Sequence, residues 1–208
     1  MADWVTISAL ATAGGTLALA VTTYASVRSA NRAARVAEMS LLAGLRPLLV
    51  ESNESAEILR VNFFDVHGVA VPGGRAAVEL IDGNVYIVVS LRNVGSGIAV
   101  MHGGRICPER QRADVEAPPL DSFRRLSRDI YVPPGAVGYW QIAFRDDTEA
   151  KRASLAAIGA GTLTADVLYG DFEGGQRAIS RYLLAREEDG AWHTTTIRHW
   201  QVDRADPR

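Results

Sequence analysis

The chain has 208 residues, of which 48% are hydrophobic and 22% are charged, and its formal net charge at pH 7 is -2. This composition excludes an intrinsically disordered chain, and the near-neutral charge supplies no field that would favour nucleic acid as a partner. The length allows an anchor and one domain of ordinary size. The only cysteine, Cys107, cannot form an internal disulfide, which is compatible with a reducing compartment.

The first element is an uncharged segment that runs from Trp4 to Val27. About 20 helical residues cross the roughly 30 Å hydrocarbon core, so the segment predicts a transmembrane helix and a single-pass membrane protein. Trp4 and Tyr24 stand near its two ends, as aromatic residues at membrane interfaces do. Because threonines, serines and the Gly14-Gly15 pair make the span only moderately apolar, two alternatives stay open. These are a soluble helix buried against a partner and a cleaved signal peptide, although no basic residue precedes the span.

Basic residues follow the span, whereas only Asp3 precedes it among charged residues. Arg28, Arg32 and Arg35 are expected to meet lipid phosphates at the membrane surface, each contributing about 1 kcal/mol at an anionic leaflet. The positive-inside rule predicts that the N-terminus lies outside and the remaining chain in the cytoplasm. Lys151 is the only lysine, so almost all of the positive charge comes from arginine. This bias is typical of the codon usage of a GC-rich bacterium, and we therefore expect the membrane to be a bacterial cell membrane.

The helix is expected to continue beyond the span to Leu45, with Gly44 and Pro47 ending it. An apolar stripe repeats at spacings of three and four: Val27, Ala30, Ala34, Ala37 and Leu41. Either this stripe packs on the chain's own globular domain or it forms a short coiled-coil neck. We favour packing on the domain, because two heptads fall short of the three or four that identify a coiled coil.

Small residues line one side of the span, notably Ala11, Gly15 and Ala18. Since lipid tails are as apolar as leucine, helices in membranes associate chiefly where small residues allow their backbones to approach. This face therefore predicts helix pairing and a homo-oligomer. The alternative is that alanine and glycine are simply abundant in this segment.

From Pro47 onward the hydrophobic period changes to two, which predicts β-strands. Short strands are expected at 47–50, 58–64, 77–81, 84–92, 98–107 with a kink at Gly103-Gly104, 128–132, 137–144, 162–169, 178–186 and 192–202. Asp82-Gly83 predicts a type I′ hairpin turn, and 69–74 is interpreted as a turn region. One helix is expected over 148–158, with Thr148 as its N-cap and Gly159 as its stop.

The remaining segments are interpreted as a polar surface loop at 109–120 and a loose tail at 204–208. The chain is thus expected to consist of an anchor and neck at 1–46, a β domain at 47–203 and the tail. Each half-apolar strand must bury one face, so the expected fold is mainly β, an antiparallel sandwich of two packed sheets preceded by the transmembrane helix. A closed barrel is the alternative.

Three phrases carry a resemblance to a known class of protein: VVSLRNVGSGIA at 88–99, YVPPGAV at 131–137, and Tyr169-Gly170-Asp171 followed by a Gly-Gly turn. Over residues 85–185 the chain resembles uncharacterised bacterial membrane-anchored proteins with an immunoglobulin-like β-sandwich. The resemblance implies a sandwich fold and a role in adhesion or interaction, by analogy of fold alone.

No catalytic residue, cofactor site or metal site is expected. His193 and His199 share strand parity, but six residues at about 3.3 Å each place them too far apart for one metal ion. His102 and Cys107 could form a Cys–His pair, yet no third residue would orient the histidine, so a buried cysteine is the simpler interpretation. The sequence therefore favours a membrane-anchored module, not an enzyme, that binds another protein and lies against the lipid bilayer. The alternatives are a structural subunit of a membrane complex and a small-ligand-binding domain or enzyme.

Overall fold

The computed structural model describes residues 3–108, 110 and 116–203. The chain divides into two compact units, Met1–Ala43 and Gly44–Arg208. The predicted loop at 109–120 lies only partly within the described residues, and the predicted tail at 204–208 lies outside them.

The first unit is one long helix, α1, which runs from Trp4 to Gly44. Within the described part of the chain, it is the one helix long and apolar enough to cross a membrane. Thr12 and Thr16 donate their side-chain hydroxyls to the carbonyls of Ser8 and Thr12, one turn earlier, both at 2.9 Å. These bonds satisfy the hydroxyls inside the helix, which a helix surrounded by lipid requires. The structure thus confirms the long apolar N-terminal helix.

The second unit is built from strands, one further helix and one short 3-10 turn. The strands are β1 (Leu49–Glu51), β2 (Leu59–Asn62), β3 (Gly68–Val71), β4 (Arg75–Ile81), β5 (Asn84–Asn93), β6 (Ala99–Cys107), β7 (Arg124–Arg125), β8 (Tyr131–Val132), β9 (Val137–Phe144), β10 (Thr162–Gly170), β11 (Arg177–Arg186) and β12 (Trp192–Gln201). The 3-10 turn is Leu120–Ser122, and the helix α2 is Glu149–Ala160.

All strand pairs are antiparallel, which confirms a mainly β, antiparallel domain. Ten strands join in one sheet with the order β1-β5-β4-β12-β11-β10-β6-β7, to which β9 adds beside β5 and β8 beside β6. The hairpin β2–β3 is a second sheet of two strands.

The large sheet curls until its end strands approach each other. Val132 of β8 lies against Gly138 of β9, and Gly104 of β6 lies against the indole of Trp140 of β9. One hydrophobic core fills the inside of this curl, while the hairpin β2–β3 covers a smaller core on the outer face of β5 and β9. No ladder of hydrogen bonds joins β9 to β7 or β8 in the described strands, so the curl is open along this line.

Several local predictions are confirmed. Asp82 and Gly83 both have positive φ angles, 50° and 74°, as a type I′ turn between β4 and β5 requires. The Thr148 side chain accepts the backbone N–H of Lys151 and so caps α2. The end of α2 was predicted wrongly, because the helix continues past Gly159 and stops at Gly161, whose φ of 74° gives the left-handed cap.

Two further interpretations are wrong. The segment interpreted as a turn region contains β3, because only Pro72-Gly73-Gly74 turns the chain and the residues before them pair with β2. β6 is continuous through Gly103-Gly104. The irregularity in this region is a bulge at His102. The consecutive residues Leu168 and Tyr169 of β10 pair with Gly103 and Met101 of β6, so His102 has no partner in this strand pairing.

Candidate functional site

A groove runs along the open line of the curled sheet, between β7 and β9. Within the described part, β7 pairs with β6 and β9 pairs with β5, so each strand leaves one edge unpaired. Two adjoining hollows occupy the space, and the larger has a volume of about 430 Å³. They share four lining residues: Gly104, Arg124, Ile142 and Arg145. We call these two hollows together the seam groove.

The floor of the seam groove is apolar. Ile130 and Ile142 line the smaller hollow, and Ile142 and Phe144 line the larger one. Gly104 contributes to both, and a Cβ atom at this position would come within 2.3 Å of the Trp140 ring. The absence of a side chain at Gly104 therefore allows the indole to pack beneath the floor.

Arginines form the walls of the seam groove. Nη1 of Arg124 donates to the backbone oxygen of Ala143 at 2.8 Å and so spans the groove from β7 to β9. Nη2 of Arg128 lies 3.0–3.1 Å from three neutral acceptors: the Asn62 carbonyl, the Tyr139 hydroxyl and the Gln141 side-chain oxygen. These bonds hold both guanidinium groups in place through uncharged partners.

Carboxylates neutralise only part of this positive charge. Arg145 pairs with Asp65 at 3.0 Å, and Arg105, which lines the larger hollow, pairs with Asp166 at 2.9 Å. The described residues place no carboxylate within 4.0 Å of the guanidinium nitrogens of Arg124, Arg125 or Arg128. Asp146 also lines the larger hollow, so the groove carries an excess of positive charge with one acidic residue at its end.

The turn of the β2–β3 hairpin forms one lip of the seam groove. Phe64 lines the smaller hollow and is 70% exposed, and Val66 is 89% exposed with a positive φ of 66°. Such an angle is strained for a β-branched residue. Asp65 between them accepts bonds from Arg145 and from the Tyr86 hydroxyl, and both bonds lower the pKa of Asp65 well below its usual range. The bond to Asp65 in turn raises the pKa of Tyr86.

A buried ion pair holds Arg105, which lines the larger hollow, in place. Asp166 on β10 lies between Arg105 on β6 and Arg181 on β11, directly opposite both in the strand pairing. The Asp166 and Arg181 side chains are 0% and 1% exposed, with two bonds of 2.7 and 2.9 Å between them. Arg181 also lies 4.8 Å from the centre of the Trp200 ring. The pair fixes Arg105 at the edge of the larger hollow.

A Ser–His contact stands elsewhere in the sheet, where Ser180 Oγ lies 2.7 Å from Nδ1 of His199. Ser180 is fully buried and also contacts the Tyr169 hydroxyl at 2.8 Å and the Leu49 carbonyl at 3.2 Å. A hydroxyl donates one hydrogen bond and accepts two, so these three partners use its full capacity. The arrangement ties β1 to β11 and offers no accessible nucleophile.

The residues predicted from the sequence as sites lie on α1, in the other unit. Trp4, Tyr24 and Val27 are exposed on this helix, as are the basic residues Arg28, Arg32 and Arg35. Ala11, Gly15 and Ala18, spaced by four and three residues, share one face of it and are exposed. The structure therefore places each predicted set on the helix it was assigned to.

The other residues considered for chemistry are on the sheet. Burial and the charge of Arg177 lower the pKa of His102, and Cys107 is buried further along the same strand. In the described portion, no group of three histidine, cysteine or acidic residues could hold a metal ion.

Sequence reasoning missed the seam groove, although one signal for it was present. Arg124, Arg125 and Arg128 stand within five residues, at and just before the start of the predicted strand 128–132. Arginine clustered in a loop indicates a binding surface. Comparison with models of protein families, with curated proteins and with solved structures gives no match for this chain.

Proposed function

We propose that this chain is a single-pass membrane protein whose β domain binds another protein through the seam groove. The observation that carries the proposal is the groove itself, which combines an apolar floor, two unpaired strand edges and three arginines without a carboxylate partner in the described structure. Apolar surface rimmed by polar groups is typical of interaction sites, and arginine is enriched at them.

The anchor in this proposal is α1. Its uncharged segment Trp4–Val27 is long enough to span the bilayer, and the hydroxyls of Thr12 and Thr16 bond within the helix. The arginines at 28, 32 and 35 favour an orientation with the N-terminus outside and the β domain in the cytoplasm. The predominance of arginine over lysine favours a bacterial cell membrane. The immunoglobulin-like sandwich and the relation to bacterial anchored modules stay predictions, as does the homo-oligomer.

Photo-crosslinking tests the interaction. A photoreactive amino acid at Ser127, an exposed residue of the groove, should give adducts with another protein in cells. The matched control is Glu188, which is exposed in the turn between β11 and β12. Equal adducts from both positions, or none from Ser127, would contradict the groove as an interface.

A second function, the binding of a small anionic ligand, is favoured by the size of the larger hollow. Its volume of about 430 Å³ lies within the range of small-molecule sites. Native mass spectrometry of the purified chain separates the two functions, since a retained small molecule supports the ligand site. Stoichiometric copurification of other membrane proteins would instead support the structural-subunit alternative.

A further inference from the structure

We propose that the seam groove binds an extended acidic segment of the partner protein, which adds as a strand along the free edge of β9. This inference rests on the proposed function, because it names the chemistry of the partner at the same site. Three features of the groove carry it: the free strand edge, the spread of its arginines and the apolar floor.

The free edge of β9 presents backbone N–H and C=O groups to the groove. The carbonyl of Ala143 is reached from the groove side, because Arg124 on β7 donates to it at 2.8 Å. In an antiparallel strand every second residue presents its N–H and C=O to the same edge, so Gln141 presents its groups there as well. In the free protein Arg124 occupies the place that a backbone donor of an added strand would take. Strand addition supplies this donor and releases the guanidinium group to a carboxylate.

The arginines are distributed along the groove instead of converging on one point. Arg128 bonds to Tyr139 and Gln141 in the middle of β9, whereas Arg124 bonds to Ala143 near its end. Arg128 lies over the Tyr139 ring, and Arg124 reaches the strand edge itself at the Ala143 carbonyl. Side chains two residues apart on one face of an added strand are about 6.6 Å apart, so carboxylates at alternate positions can follow this edge from Arg128 towards Arg124. The charge pattern therefore favours an extended anionic chain.

The apolar floor favours apolar side chains on the face of the added strand that does not carry the carboxylates. Residues of opposite parity would point toward Ile142 and Phe144, which are buried at the floor. Phe64 at the lip is exposed and can cover the segment from the side of the hairpin. The partner segment is thus one in which acidic and apolar residues alternate.

Fluorescence anisotropy on the full-length chain in uncharged detergent micelles tests the proposal. The probe is a fluorescein-labelled peptide of ten residues in which glutamate and leucine alternate, beside matched peptides with glutamine or lysine in place of glutamate. The glutamate peptide should bind at least tenfold more tightly than the other two, with an affinity that falls as salt is added. Equal binding of the glutamine peptide, or tighter binding of the lysine peptide, would overturn the proposal.

Variants locate the site. Arg124→Gln combined with Arg128→Gln should weaken binding of the glutamate peptide at least tenfold. The control double variant, Arg60→Gln with Arg186→Gln, removes the same charge from exposed positions elsewhere and should stay within twofold of the wild type. Circular dichroism and the melting temperature verify that each variant is folded. An equal loss of affinity in both double variants would overturn the groove as the site.

Two further measurements distinguish strand addition from the binding of a small anion or a lipid headgroup. A glutamate peptide N-methylated at alternate residues keeps its charge but loses backbone donors, so it should bind at least tenfold more weakly. Equal binding of the methylated peptide would overturn strand addition. Displacement of the probe by millimolar inorganic phosphate would show a small-anion site, and displacement by micelles containing phosphatidylglycerol would show a headgroup site. Either displacement would overturn the acidic segment as the ligand.

The crosslinking experiment at Ser127 distinguishes a failure of this inference from a failure of the proposed function. Protein adducts at Ser127 together with no binding of the glutamate peptide would overturn the acidic segment and leave the interaction intact. Absence of both would overturn the two proposals together.

Discussion

Gly104 and Trp140 lie face to face across the open line of the curled sheet, one on β6 and the other on β9. A Cβ atom on Gly104 would come within 2.3 Å of the indole ring, so the two strands approach as closely as they do because position 104 has no side chain. Trp140 is fully buried in the main core. The contact therefore joins β6 to β9 across the open line, at a position where Gly104 also lines the seam groove.

Gly104→Ala should destabilise the β domain, because the new methyl group must displace a rigid indole in a packed core. Overpacking of this kind costs about 1–3 kcal/mol, which urea unfolding would detect. The control is Gly159→Ala within α2, where the added Cβ meets nothing within 4 Å. Alanine there should raise the unfolding free energy by about 0.5–1 kcal/mol. Wild-type stability in Gly104→Ala would contradict the close contact with Trp140.

Asp166→Asn should be strongly destabilising, since it leaves the buried guanidinium of Arg181 without a carboxylate. Removing one member of a buried ion pair costs about 3–5 kcal/mol, measurable as a drop in unfolding free energy. Asp147→Asn is the control, because its pair with Arg152 is exposed, at 78% and 62% of the two side chains. Exposed pairs contribute at most about 1 kcal/mol. Similar losses for the two variants would show that burial does not determine the importance of Asp166.

The structure also predicts how stability depends on pH through Asp65. Arg145 and Tyr86 lower the pKa of this carboxyl below its ordinary value of 3.8 in the folded state. The unfolded state then binds more protons in acid, so the stabilisation is present above about pH 4 and is lost as the pH falls through the folded pKa. The melting temperature of the wild type should exceed that of Asp65→Asn at neutral pH, and this difference should shrink in acid.

The matched control for the pH experiment is Glu188→Gln, which changes an exposed carboxylate in a turn. The melting temperature of Glu188→Gln should stay close to that of the wild type at every pH. The melting temperatures of the wild type and Asp65→Asn could instead differ by the same amount from neutral pH into acid. This result would be evidence that Asp65 does not hold the hairpin turn through its charge.

Features that depend on neighbouring residues could be predicted from the sequence. The turn at Asp82-Gly83, the cap at Thr148 and the long helix α1 are all confirmed, because backbone preference, capping and hydrophobic length act over a few residues or one segment. The end of α2 was missed for a local reason. Gly159 and Gly161 both fit a stop, and only the folded chain shows which one takes the left-handed conformation.

The seam groove depends on contacts between distant parts of the chain, and the hydrophobic pattern does not encode which strands meet. Asp166 pairs with Arg105 across 61 residues, and Arg128 reaches the Asn62 carbonyl across 66. An alternating pattern fixes which face of a strand is buried but leaves its neighbours undetermined. The cluster of arginines could therefore be seen in the sequence, but its apolar floor and strand edges could not.

The small-residue face of α1 predicts self-association in the membrane. Gly15 has open space around its Cα, and Ala11 and Ala18 lie on the same face. Gly15→Leu should weaken dimerisation in a membrane two-hybrid or crosslinking assay, because a large side chain separates the two backbones. Leu10→Ala is the control and should have a smaller effect. Equal crosslinking of the wild type and Gly15→Leu would leave α1 as a plain anchor.

The arginines that follow the span predict the topology of the whole chain. A cysteine placed at Asp3 should react with a membrane-impermeant thiol reagent in intact cells, because the positive-inside rule puts this end outside. Native Cys107 is a poor reporter of the opposite side, since its burial protects it in either orientation. Asp147, whose side chain is 78% exposed, is the better position in the β domain. Asp147→Cys should be labelled only after the cells are permeabilised. Labelling of Asp147→Cys in sealed cells would show that the β domain faces outward, and the positions of Arg28, Arg32 and Arg35 would then not determine the orientation.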